Sequence, residues 1–178
     1  MTHHRIRTAS LIALTALCGG VGAETPSSVA VSYEGDPARY IDARLDRVGG
    51  DEARQRVRDA LQRHLQALGA EHLPEGQQLD IAILDIDLAG RFEPWHFHLH
   101  DTRIMRDITW PSIQLRYTLR GPDGEIRSAE ETVTDMDYLR HSGFLPEHDR
   151  LRYEKRMLAD WFRKRFGQRT PAESAEAV

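Results

Sequence analysis

Residues 92–101 read Phe-Glu-Pro-Trp-His-Phe-His-Leu-His-Asp, with His96, His98 and His100 at every second position. In an extended chain, residues two apart share a face and sit about 6.6 Å apart at Cα. Imidazoles from His96 and His98, or from His98 and His100, can then converge on Zn²⁺ or a similar ion, each nitrogen at about 2.0–2.1 Å. All three reach one ion only if the strand bends. A tight site needs a further ligand, and Asp85, Asp87, His141 and His148 are the candidates. Asp85 and Asp87 repeat the same spacing, and two carboxylates on one strand face can bind a cation or share a proton. A plainer reading stands beside this one. Phe97 and Leu99 face the core, the histidines face water, and the aspartates form a solvated strand face. On it no cofactor is expected.

Two function classes follow. One is a non-catalytic binding or interaction module. The other is a metal-dependent hydrolase using His96, His98 or His100 with Asp85 or Asp87, which requires an open coordination position and a general base. No nucleophile constellation supports other covalent chemistry: Ser112 and Ser142 lack a sharp Gly-x-Ser-x-Gly turn, and Cys18 is the single thiol. No catalytic residue is assigned.

The N-terminus bears on compartment. His3, His4, Arg5 and Arg7 precede a mostly apolar run from Thr8 to Leu17, and Val21 and Ala23 occupy the −3 and −1 positions of a cut after Ala23. That is the layout of a secretory signal peptide. The apolar run falls short of the roughly 20 residues that span a bilayer. Leu17, directly before Cys18, is too bulky for lipid attachment there. The sequence therefore predicts a leader over 1–23, a single domain over 24–167, and a disordered tail over 168–178. The processed chain would lack cysteine, hence disulfides, and would be periplasmic and not integral to the membrane. Losing Arg5 and Arg7 with no acid moves the formal charge from −4 to −6, which disfavours nucleic-acid binding. The partners that remain are an envelope protein, a lipid or a cell-wall component.

The elements that must position these residues are legible from periodicity. Val29–Tyr33 alternates as a strand. Asp51 is a candidate cap for a helix to Leu68, with Val57, Leu61, Leu65 and Leu68 on one stripe and Gly69 as its C-terminal cap. Leu79–Leu88 is a strand whose apolar face changes between Ile83 and Leu84, requiring either a β-bulge or cover on both faces. From Pro111, Ile113, Leu115, Tyr117 and Leu119 alternate with polar residues. Gly121-Pro122-Asp123-Gly124 then turns the chain, and Glu125–Thr134 returns. Glu125, Glu130 and Glu131 are placed to pair with Arg116 and Arg120. A last helix over 149–166 carries Leu151, Leu158, Trp161, Phe162 and Phe166, and Gly167 ends it. The expected fold is α+β: a small mixed or antiparallel sheet of about four strands with two helices on one face.

Several stretches taken together resemble a known family. They are Asp36-Pro37-Ala38-Arg39-Tyr40-Ile41-Asp42, Asp85-Ile86-Asp87-Leu88-Ala89-Gly90, Phe92-Glu93-Pro94-Trp95, Arg103-Ile104-Met105-Arg106-Asp107, and Leu151-Arg152-Tyr153-Glu154-Lys155 on to Trp161-Phe162. Over roughly residues 29–167 the chain resembles domain of unknown function 3016, small exported proteins of Gram-negative bacteria. The resemblance implies a periplasmic setting and brings no activity, substrate or catalytic residue. The histidine triplet is not part of it.

Overall fold

The computed structural model describes residues 28–36, 40, 42–46, 50–93, 95, 102–140, 146 and 148–167. The expected leader over 1–23, the expected tail over 168–178, and His96, His98, His100 and His141 lie outside the described residues. The elements run β1 (Ser28–Tyr33), α1 (Gly50–His72), β2 (Gln78–Asp87), β3 (Arg91–Phe92), β4 (Arg103–Ile104), β5 (Ser112–Arg120), β6 (Ile126–Thr134) and α2 (Arg152–Phe166). The main sheet is mixed, in the order β1-β2-β5-β6. β1 pairs parallel with β2, and the other two pairings are antiparallel. The expected α+β class and the helices on one face are what the structure shows.

The switch of apolar face in β2 is a bulge. The pairing with β5 slips between Ile83 and Asp85, leaving Leu84 as the extra residue. Leu79, Ile81 and Ile83 before it, and Ile86 and Leu88 after it, are thereby all buried. They meet Val57, Leu61 and Leu65 of α1 and Leu158 and Phe162 of α2 in one core. Asp85 and Asp87 consequently share the opposite face, opposite Gln114 and Ser112.

α1 departs from the sequence expectation at both ends. It continues through Gly69 to His72, and Asp51 lies in its first turn with its carboxylate on Arg54 at 2.8 Å. Gly69 is buried and caps nothing. A Cβ there would stand 2.1 Å from Val29 Cγ2, so the missing side chain lets the helix press onto β1. The chain between β2 and β5 is also not a plain connection, because β3 and β4 form a short antiparallel ladder within it. Among the described residues, no helix is long and apolar enough to cross a membrane.

Candidate functional site

The stretches that carry the family resemblance converge at the end of β2. Past the loop after β1, Asp42 returns beside β2: its N–H donates to the Ile86 carbonyl, and its carbonyl accepts the Leu88 N–H, both at 2.9 Å. Gly90 turns the chain at φ 75°, and a Cβ on it would stand 2.8 Å from the Ile104 carbonyl oxygen. Only glycine suits that position.

Arg103 ties this turn together. Its Nε donates to the Ala89 carbonyl at 3.0 Å. Nη2 donates to the carbonyls of Leu88 at 2.9 Å and Gly90 at 2.7 Å. Nη1 donates to Asp42 Oδ2 and the Arg44 carbonyl, each at 2.9 Å. An arginine has five N–H donors, and all five are used. The side chain is 5% exposed. Its guanidinium lies 5.1 Å from the Phe92 ring centroid.

Two further pairs surround it. Arg91 grips Asp87 bidentately at 2.6 and 2.7 Å. Arg106 grips the buried Glu93 at 2.6 and 2.8 Å. Tyr138 donates to the Arg106 carbonyl at 2.7 Å and meets Tyr153 edge to face. Glu154, 2% exposed, accepts the Ala89 N–H on Oε1 at 2.8 Å, while its Oε2 has no partner. Burial pushes the Glu154 carboxyl above the ordinary range, against the pull of the Ala89 N–H and Arg103.

Chemically this end of the fold is a densely bonded knot in which Asp42 Oδ1 and Glu154 Oε2 are buried without partners. Its arginines are matched to carboxylates or backbone carbonyls, an arrangement that fixes geometry and leaves little to engage a substrate. Asp87, a candidate metal ligand by spacing, is held by Arg91. Asp85 Oδ1 accepts the Ile86 N–H at 2.9 Å. Among the described residues no three His, Cys, Asp or Glu side chains gather to hold an ion. His148 is exposed.

The accessible surface is the other face of the sheet. There Ala30, Ser32, Ala82 and Thr118 form a floor of small side chains. Over it lies a shallow concavity of about 290 Å³ whose walls include Glu34, Asp80 and Arg116. Arg116 crosses from β5 to both Glu34 carboxylate oxygens at 3.1 Å and to Glu130 Oε2 at 3.2 Å. Arg120 reaches Asp80, not a glutamate of β6. Glu130 pairs with Arg116 as expected, whereas Glu125 meets Arg127 at 3.5 Å. Glu131 instead points to the helix side, where it receives Trp161 Nε1 at 3.0 Å and Arg165 Nε at 3.1 Å.

Sequence reading expected the helices on one sheet face but did not single out the opposite face as a site, because small and paired residues carry no motif. It also missed the roles of Arg103 and Glu154, although both sit within the stretches that signalled the family. The signal for Glu154 was an acid inside the apolar pattern of the last helix.

Fold and site together define an α+β layer protein, helix-covered on one sheet face, open on the other among the described residues, and knotted by a buried arginine at one end. The chain belongs to the family described as protein of unknown function (DUF3016), whose model matches residues 27–164. No curated protein and no solved structure matches it.

Proposed function

We propose that this protein is a non-catalytic interaction module of the bacterial periplasm, and that the open sheet face is its contact surface for another protein. The observation that carries the reading is the uncovered face itself. Ala30, Ser32, Asp80, Gln114, Arg116, Arg120, Ser128, Glu130 and Thr132 are all exposed on it, while both helices pack on the other side. Ligand pockets for small molecules run about 300–1,000 Å³ and enclose most of the ligand. An open concavity of about 290 Å³ falls just short of that range and suits a broad, flat contact. Alternating acids and arginines favour a polar partner over an acyl chain, and fix its register more than its affinity. Export rests on the leader-like order of residues 1–23.

A photo-reactive amino acid placed at Thr118, on the open face, tests the contact in cells of the source bacterium. A control at Gln66, on the exposed side of α1, is run beside it. The expected result is one discrete adduct at position 118, absent at 66 and lost with Arg116→Glu. Equal adducts at both positions, or none at 118, contradict the reading. Mass spectrometry of the periplasmic fraction should find Glu24 at the N-terminus, and retention of Met1 contradicts export.

A further inference from the structure

The two edges of the sheet are unlike. β1 is six residues long, pairs parallel, and breaks at Gly35. β6 runs nine residues in unbroken register with β5, without bulge or proline. Among the described residues no strand pairs with its outer side. Soluble proteins ordinarily blunt such an edge with a bulge, a proline, a covering loop or charged side chains, and of these, among the described residues, β6 carries the charges alone, Arg127, Glu130 and Glu131.

The phase of the ladder shows which groups point outward. The Gly121 N–H donates to the Glu125 carbonyl at 2.8 Å. These two residues continue the β5–β6 register by one step from Arg120 and Ile126. In an antiparallel ladder, hydrogen-bonded pairs alternate with non-bonded ones. Arg127, Ala129, Glu131 and Val133 therefore bond inward to β5. The N–H and C=O groups of Ile126, Ser128, Glu130, Thr132 and Thr134 face out.

From this geometry we infer that β6 pairs antiparallel with β6 of a second copy of this chain, with the two-fold axis at Ala129, joining two sheets into one of eight strands. Charge selects the register. Centring at Ala129 sets Arg127 opposite Glu131 of the second copy, twice over, with Ser128 opposite Glu130 and Ile126 opposite Thr132. Centring at Glu130 or at Glu131 sets a glutamate against itself. Centring at Ser128 sets Arg127 opposite Ala129 and loses the ion pairs. The chosen register also makes Ser128/Glu130 and Ile126/Thr132 the hydrogen-bonded pairs, so the outward groups of those four residues are satisfied. Ile126, 64% exposed in the single chain, gains cover beside Thr132. Glu131 already receives Trp161 and Arg165 on Oε2, leaving Oε1, with only a 3.4 Å contact to Tyr117, for the incoming arginine. The inference does not depend on what the open face binds.

Sedimentation of the protein over a dilution series reads the monomer–dimer equilibrium directly. Arg127→Glu replaces both opposite-charge pairs with like-charge pairs and should weaken the dimer about tenfold or more, with the thermal melt of the single chain unchanged. Ala129→Cys in a Cys18→Ser background supplies a geometric check. Residues opposite one another at a non-bonded site sit about 4.5 Å apart at Cα, within disulfide reach. A disulfide dimer should form in cells at position 129, and not with Gln66→Cys. A monomer at every soluble concentration, a dimer indifferent to Arg127→Glu, or cross-linking at 66 as fast as at 129 would each overturn the inference.

Discussion

Oε1 of Glu154, in the first turn of α2, accepts the backbone N–H of Ala89 at 2.8 Å across 65 residues of chain. The bond anchors the terminal helix to the turn that ends β2. It also places a fully buried carboxyl beside Tyr138 and Tyr153, with its second oxygen unpartnered. An ionised group there would lack solvation, so the acid keeps its proton above the usual range.

A pH dependence follows. The unfolded chain releases this proton near 4.5, and the folded chain holds it to higher pH. The stabilising contribution is therefore complete below about 4.5 and is lost as pH rises through the folded value. Glu154→Gln keeps an oxygen for Ala89 and removes the titration. Denaturant melts across the acid-to-neutral range should show the variant gaining on the wild type as pH rises. A difference constant with pH contradicts the assignment.

Arg103 is the second test of the knot. Arg103→Met removes the cation and takes its donor from Asp42 and from the carbonyls of Arg44 and Ala89, while the carbonyls of Leu88 and Gly90 keep Arg91 Nη1 at 3.2 and 3.1 Å. Breaking a buried pair costs about 3–5 kcal/mol, and the variant should lose that much stability. Arg103→Lys supplies three donors for five acceptor contacts and should recover only part of the loss. A denaturation midpoint unchanged by Arg103→Met would show that the turn is held by something else.

Gly69 and Val29 form a coupled pair. Gly69→Ala inserts a methyl group 2.1 Å from Val29 Cγ2 and should cost about 1–3 kcal/mol through overpacking. Val29→Ala vacates that space. The double variant should be more stable than the sum of the single effects predicts, by about 0.5 kcal/mol or more. Strict additivity contradicts the close approach.

Trp161 tests whether the terminal helix belongs to the core. It is 8% exposed, stacks edge to face with Tyr117, Phe162 and Phe166, and donates to Glu131. Trp161→Ala should cost about 3–5 kcal/mol. An unchanged unfolding midpoint would place the helix outside the cooperative unit.

Much of this architecture is legible in the sequence alone. Alternation gives β1 and β5, the Gly121–Gly124 turn gives β6 as the return strand, and the switch at Ile83–Leu84 names a bulge as one of two solutions. The apolar stripes of both helices are buried as spaced. Gly69 misleads because a glycine after an apolar stripe looks like a cap, while a close approach to Val29 depends on a strand distant in sequence. β3 and β4 escape because two-residue ladders have no periodicity. Asp85 and Asp87 do share a face, yet Arg91 takes Asp87, and local spacing could not show that. The open face is illegible for a different reason. The face is built of small side chains and ion pairs, and register, not motif, brings Glu34, Arg116 and Glu130 together.

We propose that the open face meets a partner where the protein works. Carboxyl labelling in intact cells, compared with the purified protein, reads this whatever the partner is. Glu34, Asp80 and Glu130 have side chains about half exposed on that face, while Asp51 and Glu71 of α1 are 91% and 71% exposed. The prediction is protection in cells confined to Glu34, Asp80 and Glu130, with Asp51 and Glu71 labelled as in the purified protein. Equal labelling of all five, or protection on α1 alone, would contradict it.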